Sequence, residues 1–204
     1  MGTRERRERE RQQRRDDILA AARSLFLRRG YERTTMPQIA KATELAPGTL
    51  YLYFPSKQAL YVELLDEGYD LLFDRLTSAA DPDAPPRKQA ATLIDAFFAF
   101  ARDYPAYFDI IFFVVQREGH AVRELTLEAR QAERLDERQQ ACMRVAADVL
   151  KRAGLPRRRA ARAIEAVWSM LAGVVLYFVH DEPKTFTAVT TEAKRLILKA
   201  IFGS

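Results

Sequence analysis

The chain has 204 residues, 48% of them hydrophobic, with 33 Lys and Arg against 28 Asp and Glu for a net charge of +5, enough to bury a full core in one or two domains. A single cysteine, Cys142, excludes an internal disulfide framework and fits a reducing cytoplasm, and with only His120 and His180 beside it no metal-ligand spacing arises, so neither metal nor cofactor is expected. The longest uncharged apolar stretch, Ala166 to Val179, falls short of the about 18 residues that suggest a membrane span, no apolar run follows the basic start as a secretory signal requires, and no Gly-rich phosphate loop, nucleophile elbow or convergent polar constellation marks an enzyme.

Charge is unevenly placed along the chain. Residues 1–60 carry 13 Lys and Arg against 7 Asp and Glu, a net of plus six, whereas residues 61–204 carry 20 against 21. The whole excess lies in the first segment, which implies a polyanion partner for that segment. It opens on Arg4, Arg6, Arg7, Arg9, Arg11, Arg14 and Arg15 interleaved with Glu5, Glu8 and Glu10. Residues 1–15 precede any apolar periodicity and are expected to form a frayed basic arm. Two readings of that arm stay open: an extension that contacts phosphate or the minor groove, and a solvated tail that neutralises itself.

A first helix is expected over Asp16 to Arg29, with Ile18, Ala22, Leu25 and Phe26 on one face, acids at its start and Gly30 as its stop. Thr35 stands three residues before Gln38, the spacing of a capping box, so a second helix begins at about Met36 and carries Ile39, Ala40 and Thr43. Leu45 is an apolar plug after the turn, and Pro47 suits the first turn of a third helix that ends before Pro55. A helix of two turns is unstable alone and must be held by neighbours. Leu50 and Phe54 would face inward. Gly48, Thr49, Tyr51 and Leu52 would face outward, a set suited to a major groove: close backbone approach, a hydroxyl with a methyl, a phenol and an apolar contact. Lys57 would sit at the next helix start, in reach of phosphate.

The stretch from about Asp16 to Leu65 resembles the DNA-binding domain of the TetR family of bacterial transcriptional regulators. It carries Thr34-Thr35, Ile39-Ala40, a turn, Pro47-Gly48-Thr49-Leu50-Tyr51, Tyr53-Phe54 and Ser56-Lys57, with Gly30-Tyr31 upstream and Ala59-Leu60 downstream. The resemblance implies that Thr35, Gly48, Thr49, Tyr51, Leu52, Tyr53 and Lys57 contact DNA. It also implies a domain order of arm (1–15), helix-turn-helix DNA-binding domain (16–62) and C-terminal helical domain for ligand binding and dimerisation (63–204). Two positions depart from the family pattern. Glu44 stands where the turn usually has Gly, and Ala46 replaces the usual Ser-type cap.

Downstream, the chain reads as all helix, with no repeat and no strand signal. A long helix over about Ser56 to Ser78 is expected to link two domains, followed by a breaker, residues 81–86, as the one convincing linker. Helices follow at about Arg87 to Asp103, Pro105 to Arg117, Ala121 to Ala153, Arg157 to His180 and Lys184 to Phe202. Phe97, Phe98, Phe100, Tyr104, Tyr107, Phe108, Ile111, Phe112 and Phe113 form a cluster too wide for one helical stripe. Such residues fill a core or line a ligand cavity, and the family resemblance favours an inducer pocket. Its candidate lining is Phe97, Phe100, Tyr104, Phe108, Phe112, Cys142 and Trp168, with Asp109, Gln116, Arg117 and His120 as candidate polar anchors.

The last two helices carry apolar faces wider than one partner needs. By resemblance to TetR-type four-helix interfaces, Trp168, Leu171, Val175, Phe178, Val189, Leu196 and Ile197 are assigned to a homodimer contact. The resulting expectation is an all-α, cytoplasmic, homodimeric regulator. It would bind a near-palindromic double-stranded operator and be released by a small apolar or aromatic ligand, most simply as a repressor. The alternatives are an activator of the same family and a sequence-tolerant architectural DNA binder.

Overall fold

A computed structural model describes residues 2–112, 129–179 and 181–203, and every element among them is helical. The helices are α1 (Thr3–Arg29), α2 (Met36–Ala42), α3 (Pro47–Tyr53), α4 (Lys57–Ser78), α5 (Pro86–Asp103), α6 (Pro105–Phe112), α7 (Ala129–Arg152), α8 (Arg157–Phe178) and α9 (Pro183–Phe202). The ends expected near Arg117 and Ala121, together with Phe113, Gln116, Arg117, His120 and His180, lie outside the described residues.

One expectation fails at the start of the chain, where α1 begins at Thr3 and residues 3–15 are its N-terminal half instead of a frayed arm. Arg, Glu and Gln are good helix formers, and side chains four apart tie successive turns. Arg6 pairs with Glu10 at 3.5 Å, and Gln12 and Gln13 donate to Asp16 and Asp17 at 2.8 and 3.0 Å. Gly30 stops the helix in a positive-φ conformation (φ 83°), its N–H donating to Phe26 O.

The described chain divides into two compact units that are discontinuous in sequence: residues 1–68 with 106–135, and residues 69–105 with 136–204. α4 and α7 each contribute to both.

In the first unit, Ile18, Phe26, Ile39, Leu50, Phe54, Leu60 and Leu64 make a core. Phe26, Tyr31 and Tyr61 meet ring to ring with centroids 5.1–5.6 Å apart. Tyr61 is wholly buried, so its hydroxyl needs a partner; it donates to Ile110 O at 2.6 Å and fastens α6 to α4. One turn along, Tyr107 donates to Glu67 Oε2 at 2.7 Å while the Arg23 guanidinium lies 4.5 Å from the Tyr107 ring centroid. Burial raises the Glu67 carboxyl above its ordinary value and pushes the Tyr107 phenol up to about 12. Gly68 completes this contact, since a Cβ there would stand 3.0 Å from Ile111 Cδ1.

The second unit packs α5, α8 and α9 with the rest of α4 and α7. Phe97 meets Trp168 edge-on at 5.2 Å, Phe98 meets Phe186 at 6.2 Å, and Lys194 pairs with Asp95 at 2.7 Å. Residues 81–86, expected as a linker, are instead a pinned corner inside this unit. Buried Gln89 accepts from Asp81 N–H at 2.9 Å, and Arg152 donates to Pro82 O and Ala84 O. The proline-rich breaker ends a helix without ending a unit.

Tyr61→Phe keeps the ring and leaves Ile110 O buried without its donor, so unfolding free energy should fall by about 1–2 kcal/mol. Denaturant titration checks this; an unchanged midpoint would mean that the hydroxyl contributes nothing.

Candidate nucleic-acid interface and apolar cavity

The interface is built from α2, the turn after it and α3. Thr35 caps α2, its backbone N–H donating to Gln38 Oε1 at 3.1 Å. The far end of α2 closes as a Schellman motif: Leu45 N–H donates to Ala40 O at 2.8 Å and Glu44 N–H to Lys41 O at 3.3 Å. That motif needs a left-handed residue at its bend, and Glu44 takes it at φ 55°. Leu45 follows, partly buried. Ala46 caps α3 without a side-chain bond, as its methyl dictates, and Pro47 opens the helix.

Within α3, Leu50 is fully buried and Phe54 nearly so, as the spacing indicates. The opposite face is open. Tyr51 is 49% exposed and Leu52 79%, Gly48 is exposed, and Thr49 and Tyr53 are partly so. Gly48 has no internal reason to be glycine: its φ is ordinary and a Cβ there would meet nothing within 4 Å. Thr35 is exposed as well.

Lys57 is tied more closely than its sequence position indicates. Its ammonium donates to Tyr31 O at 2.7 Å and Glu32 O at 3.4 Å and lies 4.2 Å from the Tyr31 ring centroid. It thereby pins the start of α4 to the loop after α1, which leaves one of its three donors for another acceptor. Arg15 plays a similar part that the sequence did not disclose, because its partners are distant in sequence. It donates to Tyr53 O at 3.4 Å, stacks 4.3 Å from the Phe54 ring centroid and pairs with Glu63 at 2.9 Å.

In the second unit a cavity of about 70 Å³ opens among α4, α5, α7 and α8. Of the seven residues assigned to a pocket, Phe97, Cys142 and Trp168 line it; the rest of its wall includes Leu76, Leu93, Val149 and Leu171. Phe100, Tyr104, Phe108 and Phe112 do not line it. Phe100 and Tyr104 pack on each other at 5.8 Å, and Phe108 and Phe112, one turn apart on α6, stack at 4.5 Å in the first unit's core. A run of aromatics across two helices divides between two cores, which residue type alone cannot reveal. Asp109, likewise on α6, belongs to the first unit. The Cys142 thiol donates to Tyr69 O at 3.7 Å, and burial pushes it up to about 12, so it stays a neutral thiol.

Several of the residues assigned to a homodimer contact pack within the chain itself. Leu171, Val175 and Ile197 are buried inside the subunit, and Trp168 is partly covered by Phe97. The apolar surface that stays free is the adjoining stripe, with Met170 (50% exposed), Tyr177 (77%) and Leu196 (52%) beside partly exposed Phe178 and Val189. Each helix carries two apolar stripes, and the inner one is buried within the chain. A Cβ at Gly173, within the outer stripe, would meet nothing within 4 Å. By length and composition α8 is also apolar enough to cross a membrane, once the charged residues near its start are admitted; within unit 2 it nonetheless buries Ile164, Leu171 and Val175. Among the described residues no group of His, Cys, Asp and Glu could hold a metal ion.

A capped helix, a tight turn and an outward two-turn helix make a helix-turn-helix. A family model described as bacterial regulatory proteins of the tetR family matches residues 18–64, and a tetracyclin repressor-like C-terminal domain model matches residues 90–197. The chain belongs to the TetR family, whose members are DNA-binding transcription regulators. It is 34% identical over 85 residues to the transcriptional repressor KstR2 of Mycolicibacterium smegmatis, covering 42% of each chain. It is 30% identical over 102 residues to the transcriptional activator FasR of the same species, covering 50% of this chain and 47% of that one. The match thus spans less than half the length of either relative. In fold it is similar to a tetR-family regulatory protein from Rhodococcus RHA1, with TM-score 0.76 and 20% identity over 92% of this chain and 96% of the other.

Glu44→Gly should raise the unfolding free energy by about 0.5–1 kcal/mol, because glycine adopts the left-handed bend without the Cβ penalty but loses more entropy on folding. Thermal unfolding of the variant checks it, and a lowered midpoint would show that the Glu44 side chain stabilises the turn.

Proposed function

We propose that the chain is a homodimeric, ligand-responsive transcriptional repressor whose α3 helices enter successive major grooves of a near-palindromic operator. Gly48 carries the proposal. Gly48 stands in the first turn of α3, where glycine brings no gain in helix stability over alanine, and nothing inside the protein requires one here. The close approach it permits is from outside. Gly48, Thr49, Tyr51 and Leu52 then face base edges, while Thr35, Tyr53 and the remaining donor of Lys57 face phosphate.

Two half-sites need two subunits. The free stripe of Met170, Tyr177 and Leu196, with room beside Gly173, supports an isologous contact of α8 and α9 with a second copy. An apolar surface of this kind on a helix of membrane-spanning length is equally covered by a partner subunit, in keeping with a protein that works in the cytoplasm, where the operator is.

The ligand site is the apolar cavity of unit 2. Among the described residues its wall offers only a neutral thiol and the Trp168 indole as polar groups, which favours an apolar or aromatic ligand. The cavity measures about 70 Å³, whereas ligand pockets span roughly 300–1,000 Å³. Occupation therefore demands that the walls part. Leu76 of α4 is one of those walls, and the same helix begins at Lys57. A ligand that binds only the widened form shifts the population away from the DNA-competent one by its difference in affinity.

Selection of duplexes from a random pool by the purified chain tests the proposal. Enrichment of an inverted repeat with half-sites a multiple of the helical turn apart is expected, and a pool that stays random would point to an architectural binder. On the enriched duplex Gly48→Ala should melt higher than the parent yet bind at least about tenfold, or 1.4 kcal/mol, more weakly; unaltered affinity would remove Gly48 from the interface. Leu196→Glu would place an unpaired charge in the dimer contact and cost several kcal/mol of association. Sedimentation should then report monomers, and a dimer that persists would place the contact elsewhere.

A further inference from the structure

The N-terminal half of α1 is a helix that no core requires, and four of its arginines fall on one side of it. Arg4, Arg7, Arg11 and Arg14 recur at spacings of three and four, which puts them on one face. Followed along the helix, the same face becomes Ile18, Ala22 and Leu25, all buried. Most of the acids have partners off the stripe: Glu5 accepts the Gly2 N–H at 3.1 Å, Glu10 pairs with Arg6, and Asp16 and Asp17 accept from Gln12 and Gln13; Glu8, four residues after Arg4 and three before Arg11, borders the stripe and offsets part of its charge. All four stripe arginines are exposed, and among the described residues no hydrogen bond or ion pair joins them to the protein.

We infer that this stripe is a phosphate-binding rail, a second DNA contact continuous with α3 and independent of base sequence. Placement favours duplex DNA as the occupant. Directly after the stripe comes Arg15, bonded to Tyr53 O and stacked on Phe54 at the end of α3. The rail therefore starts where the recognition helix stops. From Arg4 to Arg14 it runs about 15 Å at 1.5 Å per residue, facing a polymer that carries a negative charge every about 1.7 Å. Guanidinium groups suit such a partner because each can fork onto phosphate oxygens. A rigid helix also holds its charges in register, so less entropy is lost on binding than a frayed arm would lose. The inference rests on the DNA-binding reading of α3 but adds contacts that α3 does not make.

Because phosphate contacts ignore sequence, a mixed-sequence duplex is a sufficient probe. The slope of log affinity against log salt would be measured for the full chain, for R7Q/R11Q on the stripe and for R6Q/R9Q off it. Both pairs remove two positive charges and keep helix propensity, which circular dichroism verifies. R7Q/R11Q should flatten the slope by up to about 1.8 units per chain, about 0.9 for each phosphate released. R6Q/R9Q should change it by less than about 0.5 on the same scale. Equal changes in the two pairs would reduce the stripe to diffuse charge and overturn the rail, while binding by the parent would leave the reading of α3 standing. A parent chain that binds no duplex would overturn both. Binding to phosphatidylserine vesicles that falls in R7Q/R11Q while its DNA slope matches the parent would overturn the rail in favour of a membrane face.

Discussion

A helix of seven residues cannot hold itself in water, and the burial of Leu50 and Phe54 is what keeps α3 folded. Each of those side chains contributes about 1.5–3 kcal/mol when fully buried, which offsets part of the roughly 7–14 kcal/mol that ordering seven residues costs. The surroundings serve that burial. Arg15 and Glu63 close over Phe54, Lys57 ties the start of α4 to the loop after α1, and the Schellman turn fixes where α3 begins. With the inward residues and these ties anchoring the helix, Gly48, Tyr51 and Leu52 are released from packing.

Stability is forfeited at the same places. Glu44 holds a left-handed bend that glycine would adopt without the Cβ penalty, Ala46 leaves α3 without a side-chain cap, Gly48 weakens a helix that has no spare turns, and Leu52 stands in solvent. Such local conflicts with folding preference gather at functional surfaces. Gly48 and Leu52 lie on the outward face proposed for the groove. Glu44 and Ala46 form the turn that sets its angle. In unit 2 the analogous features are an apolar cavity too small for a ligand as it stands and an outer apolar stripe on α8 and α9.

The parts legible in the sequence are those governed by local rules. Capping at Thr35, the stop at Gly30, the proline that opens α3 and the inward pair Leu50 and Phe54 all depend on neighbours within a few residues, and they fall where the pattern puts them. What depends on distant partners was hidden. α1 reaches Thr3 because of charge pairs that compete with disorder by small margins, and apolar periodicity is blind to them. Phe108 and Phe112 go to one core and Phe97 to another because α4 and α7 serve both units, so no composition break marks the division. Leu171 and Leu196 both look like interface residues because α8 and α9 have two apolar stripes each, and only packing decides which is spent inside.

The central claim is that α3 is folded by its inner face so that its outer face can meet DNA. Hydroxyl-radical labelling of the full chain, free and bound to its enriched duplex, tests it most directly. Tyr51 and Leu52 should label readily in the free protein and lose that labelling with DNA, while Met170 and Tyr177 label the same in both states. Labelling of Tyr51 and Leu52 that is unchanged when the duplex is bound would contradict the account.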